Sequence, residues 1–215
     1  SAHQSRQRTG RALPDAREHF IDLGSGRYGA IIAVIHHFFH EEFDKIDPSA
    51  SIAIEEAIKR NILDPYLDIE ERKANQWLGY YGGMLNNWNP WCNSDVMLCF
   101  LLIEKDQKRL DAAVRQGIES IDRFLDYNTS DGACEEGPGY WDAAAGKLYD
   151  FLQILFDASS GKFNMFDNDR IRRMGEFASR AYVGGRYVAN FADGSALVTC
   201  TPELLWSYGN AVGSQ

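Results

Sequence analysis

Histidine is missing from the chain after residue 40: all 5 histidines (His3, His19, His36, His37, His40) fall before that point in a sequence of 215 residues. A histidine base for chemistry in the later segments would therefore have to come from that early stretch or from outside the chain. Basic residues are also scarce, with 22 Lys and Arg against 31 Asp and Glu, a formal charge of -9 and a pI near 5.0. That balance argues against a nucleic-acid partner, because phosphate affinity needs clustered cations. The 4 cysteines (Cys92, Cys99, Cys134, Cys200) include no CxxC spacing, so neither a zinc knuckle nor a redox motif is indicated, and an even count alone does not establish disulfides. No apolar run is long enough for a membrane span, and no membrane partner is expected. Ser1 to Arg11 is polar and lacks the apolar core of a signal peptide. GxSxG, a phosphate loop and a GxGxxG before a strand-helix unit are all absent, which leaves serine hydrolase and dinucleotide readings unsupported.

What is present is helical periodicity. Residues 1–19 are poorly patterned, and 20–215 read as one all-α domain. Tyr28 to Ile46 suits a buried helix with Ile31, Ile32, Val34, Ile35, Phe38, Phe39 and Phe43 as its core face, stopped by Asp47 and Pro48. A second helix follows, with Ser49 or Ser51 as cap and Pro65 as its end. Glu70 to Tyr80 suggests a short helix before Gly79, Gly82 and Gly83, which would put the next stretch, LNNWNPWCNS, on a loop. Helices over Ser94 to Glu104 and Gln107 to Tyr127 form a hairpin, and a glycine-rich loop leads to a helix from about Tyr140 to Ala158 with Ala144, Leu148, Phe151 and Leu155 inward. Ile171, Met174, Ala178 and Tyr182 mark one more helix, and strand signals are confined to Arg186 to Phe191 and Ala196 to Thr199. Paired helices of this kind fit an array, either a toroid of hairpins or a solenoid.

Two loops concentrate the polar oddities: Asn86 to Ser94, and DGACEEGPGYW from Asp131 to Trp141. Both precede helices, so in an array of hairpins they would share one rim. Amides, carboxylates, a tyrosine and several indoles are the inventory of a carbohydrate site, where polar groups hold hydroxyls and aromatic faces lie under sugar rings. Simpler roles compete. Asn93 or Ser94 could cap the following helix, and Glu135 and Glu136 could favour a helix N-terminus through its dipole. For Asn86 and Asn87, loop closure and function weigh about equally. His36 and His40, four apart with Asp44 a turn further, invite a metal hypothesis, but without HExxH they read as core or surface histidines. Neither a metal nor a cofactor is expected.

NNWNPWCNS, CEEGPGYW and YVANFADGSA together resemble the helical domain of the heparinase II/III-like family of polysaccharide lyases. The resemblance also takes in DLGSGRYGAIIAVIHHFF and the stretch ending ILDPYL, from about Phe20 to Ala196. It implies an incomplete α/α toroid, a β-sandwich region beyond the present chain, a fragment of a longer protein and a periplasmic or extracellular location. It further implies an acidic, uronic-acid-containing polysaccharide as substrate, cleaved by β-elimination. In that chemistry the sugar carboxylate must be neutralised before the adjacent proton can leave, and a base and an acid must serve the two reacting atoms. Asn87, with Asn86 less favoured, matches the neutralising asparagine. Tyr140 matches the tyrosine acting as acid, base or both, with Glu136 orienting it or acting on the sugar. Trp88 and Trp141 become stacking surfaces, and Asn89, Trp91 and Glu135 complete the implied substrate contacts. Some family members carry a histidine where Trp88 stands, and a second from the sandwich domain. Either Tyr140 serves both roles, or the chemistry differs, or the chain alone is inactive. An α/α-toroid glycoside hydrolase pairing Glu136 with Asp142 or Asp193, or a non-catalytic carbohydrate-binding scaffold, are the alternatives.

Overall fold

A computed structural model describes residues 19–70, 73–198 and 200–214. It is an all-α protein, with one small antiparallel ribbon among the described residues. Contacts divide the chain into two compact units: one runs up to Gly83 and includes Asp95–Ser120, and the other comprises Met84–Ser94 and the chain from Ile121 on.

In the first unit, α1 (Leu23–Ile46) starts at a capping box. The Ser25 N–H donates to Asp22 Oδ1 at 2.7 Å, and the Asp22 N–H donates back to Ser25 Oγ at 2.9 Å. Its buried face is not the expected run of large residues. Gly26, Gly29, Ala30, Ala33 and His36 point inward, while Ile31, Ile32, Ile35, Phe38 and Phe39 are 41–71% exposed. The small residues let neighbouring side chains pack closely, and a Cβ on Gly29 would overlap Ile62 Cδ1. Periodicity identified the helix and its end but chose the wrong face.

Helix α2 (Ser49–Ile58) starts after Pro48 with no side-chain cap, neither serine serving as one, and Asp47 Oδ1 accepts the Ser49 N–H at 2.9 Å. Pro65 does not end the run. The helical run passes through a π turn at Lys59–Leu63 into α3 (Asp64–Leu67), which carries Pro65 at its start. Of the expected helix over Glu70 to Tyr80, residues 71 and 72 lie outside the described residues, and a 3₁₀ turn forms at Gln76–Leu78. Buried polar groups tie this unit together: Ile21 N–H donates to Asn75 Oδ1 (3.1 Å), Trp77 Nε1–H to the Ile21 carbonyl (2.8 Å), Gln116 Nε2 to the Tyr66 carbonyl (2.6 Å) and Ser120 Oγ to the Leu78 carbonyl (3.0 Å).

Helix α4 (Trp88–Ile103) and α5 (Gln107–Tyr127) contribute residues to both units and are joined by Glu104, Lys105 and Asp106. In the second unit, α6 (Ala145–Ala158) buries Leu148, Phe151 and Leu155, with Ala144 just ahead of it, as its periodicity predicts. Helix α7 (Asp169–Arg180), capped by Asn168, buries Ile171, Met174, Phe177 and Ala178. Tyr182 leaves the helix for β1 (Tyr182–Gly184), which pairs with β2 (Tyr187–Val188), and a further bridge joins Tyr187 to Leu197. The last helix, α8 (Pro202–Ala211), has no counterpart in the sequence reading, although Thr201, Pro202 and Glu203 spell a helix start. Trp141 lies among α6, α7 and α8, fully buried. Its ring stacks on Tyr208 with centroids 6.0 Å apart, and its Nε1–H donates to the Met174 carbonyl at 2.8 Å.

Candidate functional site

The stretch LNNWNPWCNS is not a loop but a helix start, because α4 begins at Trp88, well before the expected Ser94. Pro90 fits its first turn without loss, since the N–H it lacks would have had no intrahelical acceptor. Asn86 Oδ1 accepts the Trp88 N–H at 3.2 Å, and the Asn87 carbonyl accepts the Trp91 N–H at 3.1 Å. Asn86 thereby caps the start of α4, a role that neither of its two sequence readings, loop closure or function, gave it. Asn93 and Ser94, expected as caps, lie inside the helix. Asn93 Nδ2 donates to the Asn89 carbonyl at 2.9 Å and Ser94 Oγ to the Trp91 carbonyl at 2.9 Å.

Asn87 differs from its neighbour. It is only 6% exposed, and its side-chain Oδ1 is buried with no hydrogen-bond partner. Its backbone N–H reaches across to the second stretch and donates to Glu136 Oε2 over a long 3.4 Å. The two polar stretches thus meet within the second unit, at Asn87 and Glu136.

The third stretch joins them through glycine. Gly137 holds a φ of +90°, and a Cβ there would sit 2.5 Å from the Phe191 carbonyl oxygen and 3.2 Å from Gly194 Cα. A Cβ on Gly139 would lie 3.3 Å from Gly194 Cα. Backbone presses on backbone, which only glycine permits. Ala192, next to Asp193, is a non-glycine residue in the left-handed region at φ +48°. Strain of this kind persists where surrounding structure fixes it, and such residues collect at functional sites.

These contacts set the electrostatics. Glu136 is half-buried, and burial pushes its carboxyl above the usual glutamate range; the Asn87 N–H acts the other way, and the charges of Glu135 and Asp193 add to the rise. No ion pair involves Glu136 among the described residues. Glu135 is exposed and, with burial, raises the Tyr127 phenol. Neither glutamate serves a helix dipole, since α6 starts only at Ala145. Tyr140 ends a 3₁₀ turn, Pro138–Tyr140, half-buried and four residues beyond Glu136.

Other expected site residues are placed elsewhere. Trp141 cannot stack on a sugar, because it is 0% exposed and part of the core. Asn89, in the first turn of α4, is also 0% exposed. Trp88 and Trp91 are half-buried, and Trp91 carries Lys147 Nζ 5.6 Å from its ring centroid, a cation that sequence reading did not connect to it. The Trp91 Nε1 is buried without a partner. Asp142 is a structural group: its Oδ2 accepts from Thr201 N–H at 3.0 Å and from Thr201 Oγ1 at 2.7 Å, fixing the start of α8. Of the two carboxylates considered beside Glu136, only Asp193 acts on it.

Arg186 is exposed, and Lys73 pairs with Glu70 at 3.2 Å. His40 Nδ1 lies 3.2 Å from the His36 carbonyl, and no group of three metal-ligating side chains occurs among the described residues. All four cysteines are free thiols, and burial, with Glu136 and Glu135 nearby, pushes Cys134 up to about 11, away from thiolate chemistry. No protein-family model matches the chain, and no curated protein matches it.

Proposed function

We propose that the second unit carries a carbohydrate site of the heparinase II/III-like lyase kind, acting on an acidic, uronic-acid-containing polysaccharide by β-elimination. The observation that supports it is the meeting of Asn87 and Glu136, with Tyr140 on the same loop. In this reading Asn87 hydrogen-bonds the sugar carboxylate as negative charge develops on it. Tyr140 takes the proton from the carbon beside that carboxylate. The electron pair forms the new double bond, the glycosidic bond breaks, and the proton passes to the leaving oxygen. Trp88 and the Trp91–Lys147 pair serve as the substrate-facing surface. A toroid of helix hairpins and a periplasmic or extracellular location belong to the same proposal.

A second reading has its own observation. Burial raises Glu136, and the charges of Glu135 and then Asp193 add to it; Asp193 beside Glu136 favours an acid and base pair of the glycoside hydrolase type. The product separates the two. With uronate polymers as substrates for the intact protein, elimination yields an unsaturated sugar with ultraviolet absorbance, whereas hydrolysis yields reducing ends without it. Tyr140→Phe is expected to lower elimination by about 10²- to 10⁴-fold with melting unchanged, and retained turnover removes Tyr140 from the mechanism.

A further inference from the structure

We propose that the outer face of α1 is the surface through which this protein dimerises, covered by α1 of a second copy running antiparallel. The inference concerns the first unit alone and stands apart from the sugar reading.

The surface follows from the helical repeat. At about 100° per residue, Tyr28, Ile32, Ile35, Phe39 and Ile46 fall on one line along α1, spaced by 4, 3, 4 and 7 residues, with Ile31 and Phe38 just to one side. That is the repeat with which one helix packs along another. All seven residues are 41–86% exposed. They leave roughly 750 Å² open to water, above the ~300–600 Å² of the largest apolar patch usual on a monomer and close to the ~800 Å² per partner of a standard interface.

Charge selects the occupant and its direction. The first turn of α1 holds no acid and Arg27 follows it, 52% exposed; the other end holds Glu41 and Glu42, with Lys45 tied to Glu42 at 2.6 Å. A parallel copy would set each acidic end on its equivalent. An antiparallel copy instead brings Arg27 toward Glu41 of the other copy and opposes the two helix dipoles. Centred on Ile35, this pairing sets Ile32 against Phe38, and Tyr28 against Glu42, the one acid on the line, whose carboxylate accepts the phenol O–H. Beside Tyr28 and Ile32, a groove of about 370 Å³ lined with the small residues Gly29, Ala53 and Ala57 receives Phe39 of the second copy.

Sedimentation equilibrium of the full chain at about 100 μM is expected to give twice the 24.3 kDa of one chain, because interfaces of this size bind with micromolar Kd or tighter. Ile35→Glu with Phe39→Glu is expected to weaken association at least about 100-fold, through charges buried without partners, and to leave melting of the single chain unchanged. Ile69→Glu, at an exposed apolar residue off the face, leaves the dimer intact. Direction is read by oxidation beside the parent, whose native thiols set the background. Ile35→Cys cross-links to itself; Tyr28→Cys does not, but cross-links when mixed with Glu42→Cys. A parent of single-chain mass, or a dimer that survives the double glutamate variant, overturns the inference, and a Tyr28→Cys that cross-links to itself overturns the antiparallel pairing. An Ile35→Cys thiol that labels slowly in a chain of single mass places another segment of the same chain over the face and equally overturns the second copy.

Discussion

Glu104 and Glu136 are both partly shielded from water, and their carboxyls are shifted in opposite directions. Glu104, in the first unit, has a side chain only 6% exposed, which by itself would raise its carboxyl. Arg109 Nε lies 2.7 Å from its Oε2 and outweighs that burial, and the N–H groups of Asp106 and Lys105 add to the effect, so the group is held below the usual range. Arg109 also reaches Asp64 at 2.6 Å. Glu136, in the second unit, is held above that range by burial, with the charges of Glu135 and Asp193 adding, and its one long hydrogen bond from Asn87 does not offset them. The contrast separates a carboxylate used to hold helices from one left under-satisfied. A fold gains nothing from the second arrangement, and that is the physical reason for reading it as a site.

The comparison breaks most sharply at Gly137. Gly137→Ala forces a Cβ against the Phe191 carbonyl at a φ that disfavours side chains, and is expected to cost about 3 kcal/mol by denaturant melting of the second unit. The glycines of the first unit offer a control, since Gly82 and Gly83 face open space: alanine there meets only the backbone penalty of a positive φ, about 1 kcal/mol. Next in size is Arg109→Ala, which strands Glu104. The loss is expected at about 2 kcal/mol, below that of a fully buried pair because Arg109 is partly open to solvent. Lowering the pH toward the Glu104 midpoint should shrink that loss, since a carboxyl held low stabilises the fold above its unfolded midpoint and ceases to do so as it protonates.

The smallest effect carries the opposite sign. Glu136 is raised on folding, so its ionisation at neutral pH opposes the fold, and this cost disappears at acid pH, where both states are protonated. Glu136→Gln is therefore expected to melt slightly higher than the parent at neutral pH, by a few tenths of a kcal/mol given its partial exposure, and equally at acid pH. A variant that melts lower at neutral pH would make Glu136 a structural group like Glu104.

Helices were legible from periodicity wherever large apolar residues face inward, as along α6. Helix α1 misled because close packing there uses glycine and alanine, leaving its isoleucines and phenylalanines outside. Pro65 reads as a helix end, yet the helical run continues past it to Leu67, and Pro90 lies in the first turn of α4, where its missing N–H has no intrahelical acceptor. The two polar stretches were visible from composition, and their contact at Asn87 and Glu136 lies between residues 49 apart, beyond any local pattern. Trp141 shows the limit: an indole beside a glycine-rich loop looks the same in sequence whether it faces a sugar or the core, and its Nε1–H to the Met174 carbonyl decides for the core.

The most direct measurement is a carboxyl-carbon NMR titration of Glu104 and Glu136 in the same intact protein, with each signal assigned by its Gln variant. Glu136 is expected to titrate above an ordinary glutamate and Glu104 below it. Both midpoints on the same side of that value would contradict the distinction between the holding carboxylate and the one held ready for a ligand.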